Sequence, residues 1–102
     1  MKYTIIFLIF ISAILNATSI YDIQYTTNPG NGTFPSEYSG QNVTTGGIVS
    51  GIDFNNGRFF ITASCGGAWN GLYIYEYEYN VAIGDSVIVA GEVYEYNGWT
   101  EI

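Results

Sequence analysis

The sequence predicts an all-β fold, a single small domain built from bent strands. Three observations carry that reading. Past residue 19, no stretch of ten residues has the 3.6-residue apolar spacing of an amphipathic helix. The same region is dense in Gly, Asn, Thr, Tyr and Val, which suits strands and tight turns. Short apolar runs are separated by Asn–Gly and Gly–Asp punctuation of the kind hairpins require.

The first nineteen residues read as a secretory signal peptide: Lys2 precedes an apolar run from Ile5 to Leu15, followed by small residues. Eleven apolar residues are too few to cross a bilayer. Cleavage after Ser19 puts Ala17 and Ser19 at the two small-residue positions, and no lipid-accepting cysteine stands nearby. The expectation is a secreted protein, extracellular or periplasmic, with no stable membrane insertion after cleavage.

Ile20 to Tyr25 alternates weakly and is expected to be an edge strand. Thr26 to Gln41, rich in Asn, Gly, Pro and Ser, is expected to be a long surface connection. Together residues 20–41 lead into a barrel over residues 42–102. Its first strand runs from Val43 to Asp53, with Gly46, Gly47 and Gly51 where a strand of a small barrel bends or bulges. Asn55, Asn56 and Gly57 turn the chain into Arg58 to Ser64; Gly66 to Gly71 connects to Leu72 to Tyr79. Gly84 and Asp85 introduce Ser86 to Tyr96, where Val87, Val89 and Val93 share one face and Ile88, Glu92 and Tyr94 the other. Asn97 and Gly98 form a two-residue turn into Trp99 to Ile102, a last strand so short that either the barrel closes poorly or the chain is a fragment of a longer protein.

Composition narrows the chemistry. The 102 residues include nine acids, two bases and no histidine, for a net charge of −7. Imidazole-based triads, general bases and most zinc sites are thereby excluded. With the leader removed, Arg58 is the single base against all nine acids, a field that repels phosphate polymers. Cys65 is alone, so no intrachain disulfide forms and packing must hold the fold. Asp22, Asp53 and Asp85 lack EF-hand spacing, and no phosphate loop or cofactor motif is present. Glu76 and Glu78 fall on one strand face about 7 Å apart, which without a cleft reads as a solvated acidic face. The expectation is a non-catalytic protein with neither cofactor nor metal.

The order of several short pieces resembles the OB-fold domain that precedes the catalytic domain in secreted bacterial nucleases of the YhcR endonuclease type. These pieces are Tyr21-Asp22-Ile23-Gln24, Gly40-Gln41-Asn42-Val43-Thr44-Thr45 with Gly47-Ile48-Val49, and Phe59-Phe60-Ile61. They continue with Trp69-Asn70-Gly71-Leu72-Tyr73-Ile74-Tyr75, Gly84-Asp85-Ser86-Val87, Gly91-Glu92-Val93, and Glu95-Tyr96 with Thr100-Glu101. The resemblance implies a five-stranded Greek-key barrel and an accessory module that holds single-stranded nucleic acid for a separate nuclease catalytic domain.

In an OB-fold the ligand crosses the second and third strands. On that mapping Arg58 begins the second strand, Tyr73 and Tyr75 share one face of the third with Tyr77, Trp69 precedes it, and Tyr96 and Trp99 flank the last turn. These residues form the expected stacking face, each base contributing about 1–3 kcal/mol. Phosphate-binding proteins neutralise about six to ten phosphates, and here only Arg58 serves, so weak binding is expected. The competing reading takes the Tyr–Glu alternation as ordinary exposed sheet and the tryptophans as rim packing. In that case the chain is a structural or adhesive β-domain contacting protein or carbohydrate.

Overall fold

The computed structural model describes residues 17–55, 57–76 and 80–102. One strand organises it. β1 (Asn42–Asp53) pairs antiparallel with β4 (Ser86–Glu92) through Asn42 to Ile48, and antiparallel with β2 (Arg58–Thr62) through Ile48 to Asp53. Its inward residues Val43, Thr45 and Val49 obey the period of two, and then the register slips between Val49 and Gly51. That bulge lies at one of the glycines expected to bend the strand, and it lets Ile52 pack against the core as Val49 does.

The chain continues through Gly57, whose N–H donates to the Asp53 carbonyl at 2.8 Å, into β2 and then β3 (Gly71–Ile74), antiparallel to it. β5 (Tyr94–Tyr96) and β6 (Trp99–Glu101) form a hairpin across Asn97 and Gly98. Both turn residues have positive φ, 51° and 85°, as a two-residue hairpin turn demands. β6 runs parallel to β3 through Tyr73 and Glu101. The result is one six-stranded sheet in the order β4-β1-β2-β3-β6-β5.

All-β character holds, with corrections to the barrel. Five strands were expected, closing on one another; among the described residues six are present, and the hydrogen-bonded sheet is not closed. The expected strand Ser86 to Tyr96 divides at Val93. Its N–H donates to the Gln41 carbonyl at 2.9 Å and its carbonyl accepts from the Gly40 N–H at 2.8 Å, while its side chain is fully buried. Beyond that exchange the chain leaves β1 and pairs with β6 instead. The expected third strand ends at Ile74, with Tyr75 and Glu76 following outside it, and Tyr77 to Tyr79 lie outside the described residues.

A second correction concerns residues 20–25. Ile20–Gln24 is a short helix, α1, not an edge strand. The Ser19 hydroxyl accepts from the Asp22 N–H at 3.0 Å, an N-cap, and Asp22 lies in the first turn, where the helix end favours negative charge. Ile20 and Ile23, three residues apart and therefore on one helix face, are buried in the core. Gly47 makes room for them, since a Cβ there would stand 3.1 Å from Ile20 Cδ1 and 3.0 Å from the Thr62 carbonyl oxygen. The core therefore starts at Ile20 and not at Asn42. It joins α1 to Val43, Val49, Phe59, Ile61, Leu72, Ile74, Val87 and Val93. The 25–41 connection is tied onto it by the buried Ser36, whose hydroxyl donates to the Ile23 carbonyl at 2.5 Å.

Of the expected signal peptide, residues 1–16 lie outside the described residues, whereas 17–19 belong to the fold. Ala17 bridges Thr44 in parallel, and the Thr18 N–H donates to the Thr44 carbonyl at 2.8 Å. A chain beginning at Ile20 loses these bonds and the cap, and puts an ammonium at a helix N-terminus. In urea titrations it is expected to be at least about 1 kcal/mol less stable than a chain beginning at Ala17. Ser19→Ala alone is expected to lose about 1 kcal/mol. Equal midpoints for all three would show that the 17–19 segment adds nothing to the fold.

Candidate functional site

β2 and β3 present opposite faces to core and solvent. Phe59, Ile61, Leu72 and Ile74 point inward, leaving Arg58, Phe60, Thr62, Gly71 and Tyr73 on the outer face. Phe60 sits opposite Tyr73, their ring centroids 4.8 Å apart, and Thr62 sits opposite Gly71. The β5–β6 turn brings Trp99 over them: its ring meets Tyr73 edge-on at 5.4 Å and Phe60 at 6.4 Å. Across the face stand Trp69, from the β2–β3 connection, and Phe34, from the long loop. Together these five rings border an open groove of about 630 Å³, within the range of small-ligand sites. Hydroxyls line it too: Thr62 donates to Ser50 Oγ at 2.7 Å at its edge.

Backbone conformation marks the same place. Among the described residues, three non-glycine residues have left-handed φ: Phe34 at 52°, Trp69 at 69° and Asn97 at 51°. Phe34 and Trp69 line the groove, and Asn97 precedes Gly98, which also lines it. Asparagine tolerates this region, but bulky side chains meet their own carbonyls there at a cost of about 1–2 kcal/mol. Trp69 also leads out of the groove. Its ring meets Tyr25 edge-on at 5.5 Å, and Tyr25 stacks on Tyr21 at 5.4 Å with planes 9° apart.

Of the expected stacking residues, Tyr73, Trp69 and Trp99 come together in this groove. Arg58 and Tyr75 do not line it. They face each other at its side, the guanidinium carbon 3.7 Å from the Tyr75 ring centroid, a cation–π contact that covers the only basic group of the described chain. Tyr96, on β5, is more than half exposed and lies away from the cavity lining. Phe60, Phe34, Tyr21 and Tyr25 were not singled out from the sequence. The Ser19-x-x-Asp22 capping pattern was the one available signal for the helix that holds the two tyrosines. Glu76 is exposed and Glu78 lies outside the described residues.

Beneath the rings, charge is confined. The Tyr73 hydroxyl bonds Asp53 Oδ2 at 3.1 Å. Burial raises the Tyr73 pKa, with the Arg58 hydrogen bond opposing and Asp53 adding to the rise. Glu101, beside Tyr73 on β6, is buried, and that burial raises its pKa; Arg58 opposes the shift and Glu95 adds to it. Comparison with known protein families, curated proteins and solved structures finds no match for this chain.

Two expected outcomes follow from this geometry. A carboxyl whose folded pKa is raised binds its proton more tightly folded than unfolded. The stability it contributes is present below the unfolded value of 4.5 and is lost as pH rises through the folded value. The melting temperature should therefore rise as pH falls from neutral toward that value, and Glu101→Gln should flatten the slope and stabilise the protein at neutral pH. A slope unchanged in the variant would remove Glu101 as its source. Trp69→Gly relieves a left-handed backbone while losing one ring contact, so its stability should stay within about 1 kcal/mol of the parent. Phe59→Ala, in the core, should lose about 3–5 kcal/mol. Equal losses in urea titrations would make Trp69 a core residue.

Proposed function

We propose that this chain is a non-catalytic, secreted binding module of OB type whose aromatic groove stacks against the rings of an uncharged oligosaccharide. The OB reading is supported by the strand connections. β1 is shared between β4 and β2, β6 runs parallel to β3, and the two ends of the sheet, β4 and β5, are consecutive segments joined at Val93. OB-folds bind oligonucleotides and oligosaccharides across this face and the turn that here carries Trp99.

The observation that carries the ligand class is a groove walled by Phe60, Trp69, Tyr73 and Trp99 in a chain of net charge −7. Its bases are Lys2, in the apolar N-terminal segment, and Arg58, engaged with Tyr75. A polyphosphate finds rings here but nothing to neutralise it. A pyranose brings an apolar face for the rings and hydroxyls for Ser50 and Thr62, with no charge to repel. The strand order favours a second reading, an accessory domain that holds single-stranded nucleic acid for a nuclease domain, and base stacking would use the same rings.

The two readings separate in one experiment. The protein is applied to an array of neutral and acidic glycans, and in parallel titrated with short single-stranded DNA at low salt. Neutral glycans are expected to bind, and Trp99→Ala is expected to weaken them about tenfold or more, a loss of roughly 1.4 kcal/mol. DNA binding that depends on Trp99, with no glycan bound, would transfer the site to the second reading.

A further inference from the structure

We propose that Tyr21, Tyr25 and Trp69 form a second arm of the groove, a stacking subsite for further units of an uncharged oligosaccharide whose first units lie over Phe60, Tyr73 and Trp99. This rests on the saccharide reading above and extends the binding path beyond the groove. Trp69 belongs to both sets: it lines the cavity, and its ring stands nearly perpendicular to that of Tyr25 with centroids 5.5 Å apart. Tyr21 and Tyr25 lie outside the cavity lining, one helical turn apart and stacked, and each ring of the trio keeps about two-fifths of its surface in water.

The arm is fixed to the groove. Gln24, at the end of α1, donates its side-chain amide to the Gly71 carbonyl at 2.7 Å, joining the helix to the first residue of β3, which lines the cavity. In the loop before it, Gly66 and Gly67 take positive φ at no steric cost, yet Trp69 takes it too, with its ring turned toward Tyr25. A cavity of about 630 Å³ suffices for one small ligand, so rings outside it serve only a ligand that extends beyond it. Asp22, next to Tyr21 in α1 and exposed, puts a negative charge on the helix that carries the arm and disfavours an anionic chain.

The test uses the shortest neutral glycan bound on the array and the same chain extended by several units, measured by titration calorimetry with the full folded protein. The longer glycan is expected to bind about tenfold more tightly, the gain of one or two added stacking contacts. Tyr25→Ala should erase that gain and leave the shorter glycan unchanged. Tyr21→Ala serves the same purpose should circular dichroism show the first variant unfolded. Equal affinity for the two lengths, or a Tyr25→Ala loss that is the same for both, overturns the arm while Trp99-dependent binding of the short glycan leaves the groove standing. Absence of all glycan binding overturns both.

Discussion

A single strand has to serve two ladders, and the rest of the structure depends on how it does so. Val49 and Ile52 are three residues apart, which in a regular strand puts them on opposite faces. The slip between Val49 and Gly51 reverses the phase, so the first half of β1 can face the core against β4 and the second half against β2. The same slip puts Gly51 opposite Phe60. A Cβ on Gly51 would stand 3.4 Å from that ring, an ordinary contact, so it is the shifted pairing that seats Phe60 on the outer surface. The floor of the groove is thus a by-product of the bend that the core requires.

Charge then decides what such a floor can hold. Past residue 19 the chain has a single basic residue, and the fold engages it with Tyr75 at the side of the ring cluster. Around it, Asp53 is bonded to Tyr73 and Glu101 is buried beneath. Aromatic stacking without cations distinguishes ligands by their own charge: a neutral ring loses little on approach, while each phosphate would meet an unscreened acidic field. Fold type and electrostatics therefore point in different directions here, and the electrostatics act on the ligand itself.

What could be read from the sequence was what local chemistry decides. The strand alternation of Val87, Val89 and Val93 against Ile88 and Tyr94, the Asn97–Gly98 turn and the bend near Gly51 all depend on neighbours a few residues away. The division at Val93 does not, because it is made by Gly40 and Gln41, some fifty residues earlier in the chain. α1 is too short to show periodicity, and its one signal, Ser19, had been counted with the leader. Phe59-Phe60-Ile61 is apolar throughout, so it has no phase to read; only the pairing with Gly51 and Tyr73 settles that the middle ring faces outward. Trp69 and Trp99 could be named as candidates from type alone, but their meeting around one cavity depends on the parallel β3–β6 pairing.

The remaining tension is between stability and display. A domain with no intrachain disulfide and, among the described residues, a core of ten buried apolar side chains has little stability to spare, yet it leaves several large rings in water. Some of that exposure is scattered: Phe54 caps a turn and Ile88 lies on the outer face of β4, and isolated apolar residues of this kind are normal. The groove differs, because there exposed rings coincide with strained backbone. Phe34 and Trp69 hold a conformation that glycine would adopt freely, and both border the same cavity. Selection for folding alone would replace them, since each local choice in a well-folded sequence tends to agree with the whole. Rings kept against that tendency, on one face and around one opening, are what the proposed binding role would account for.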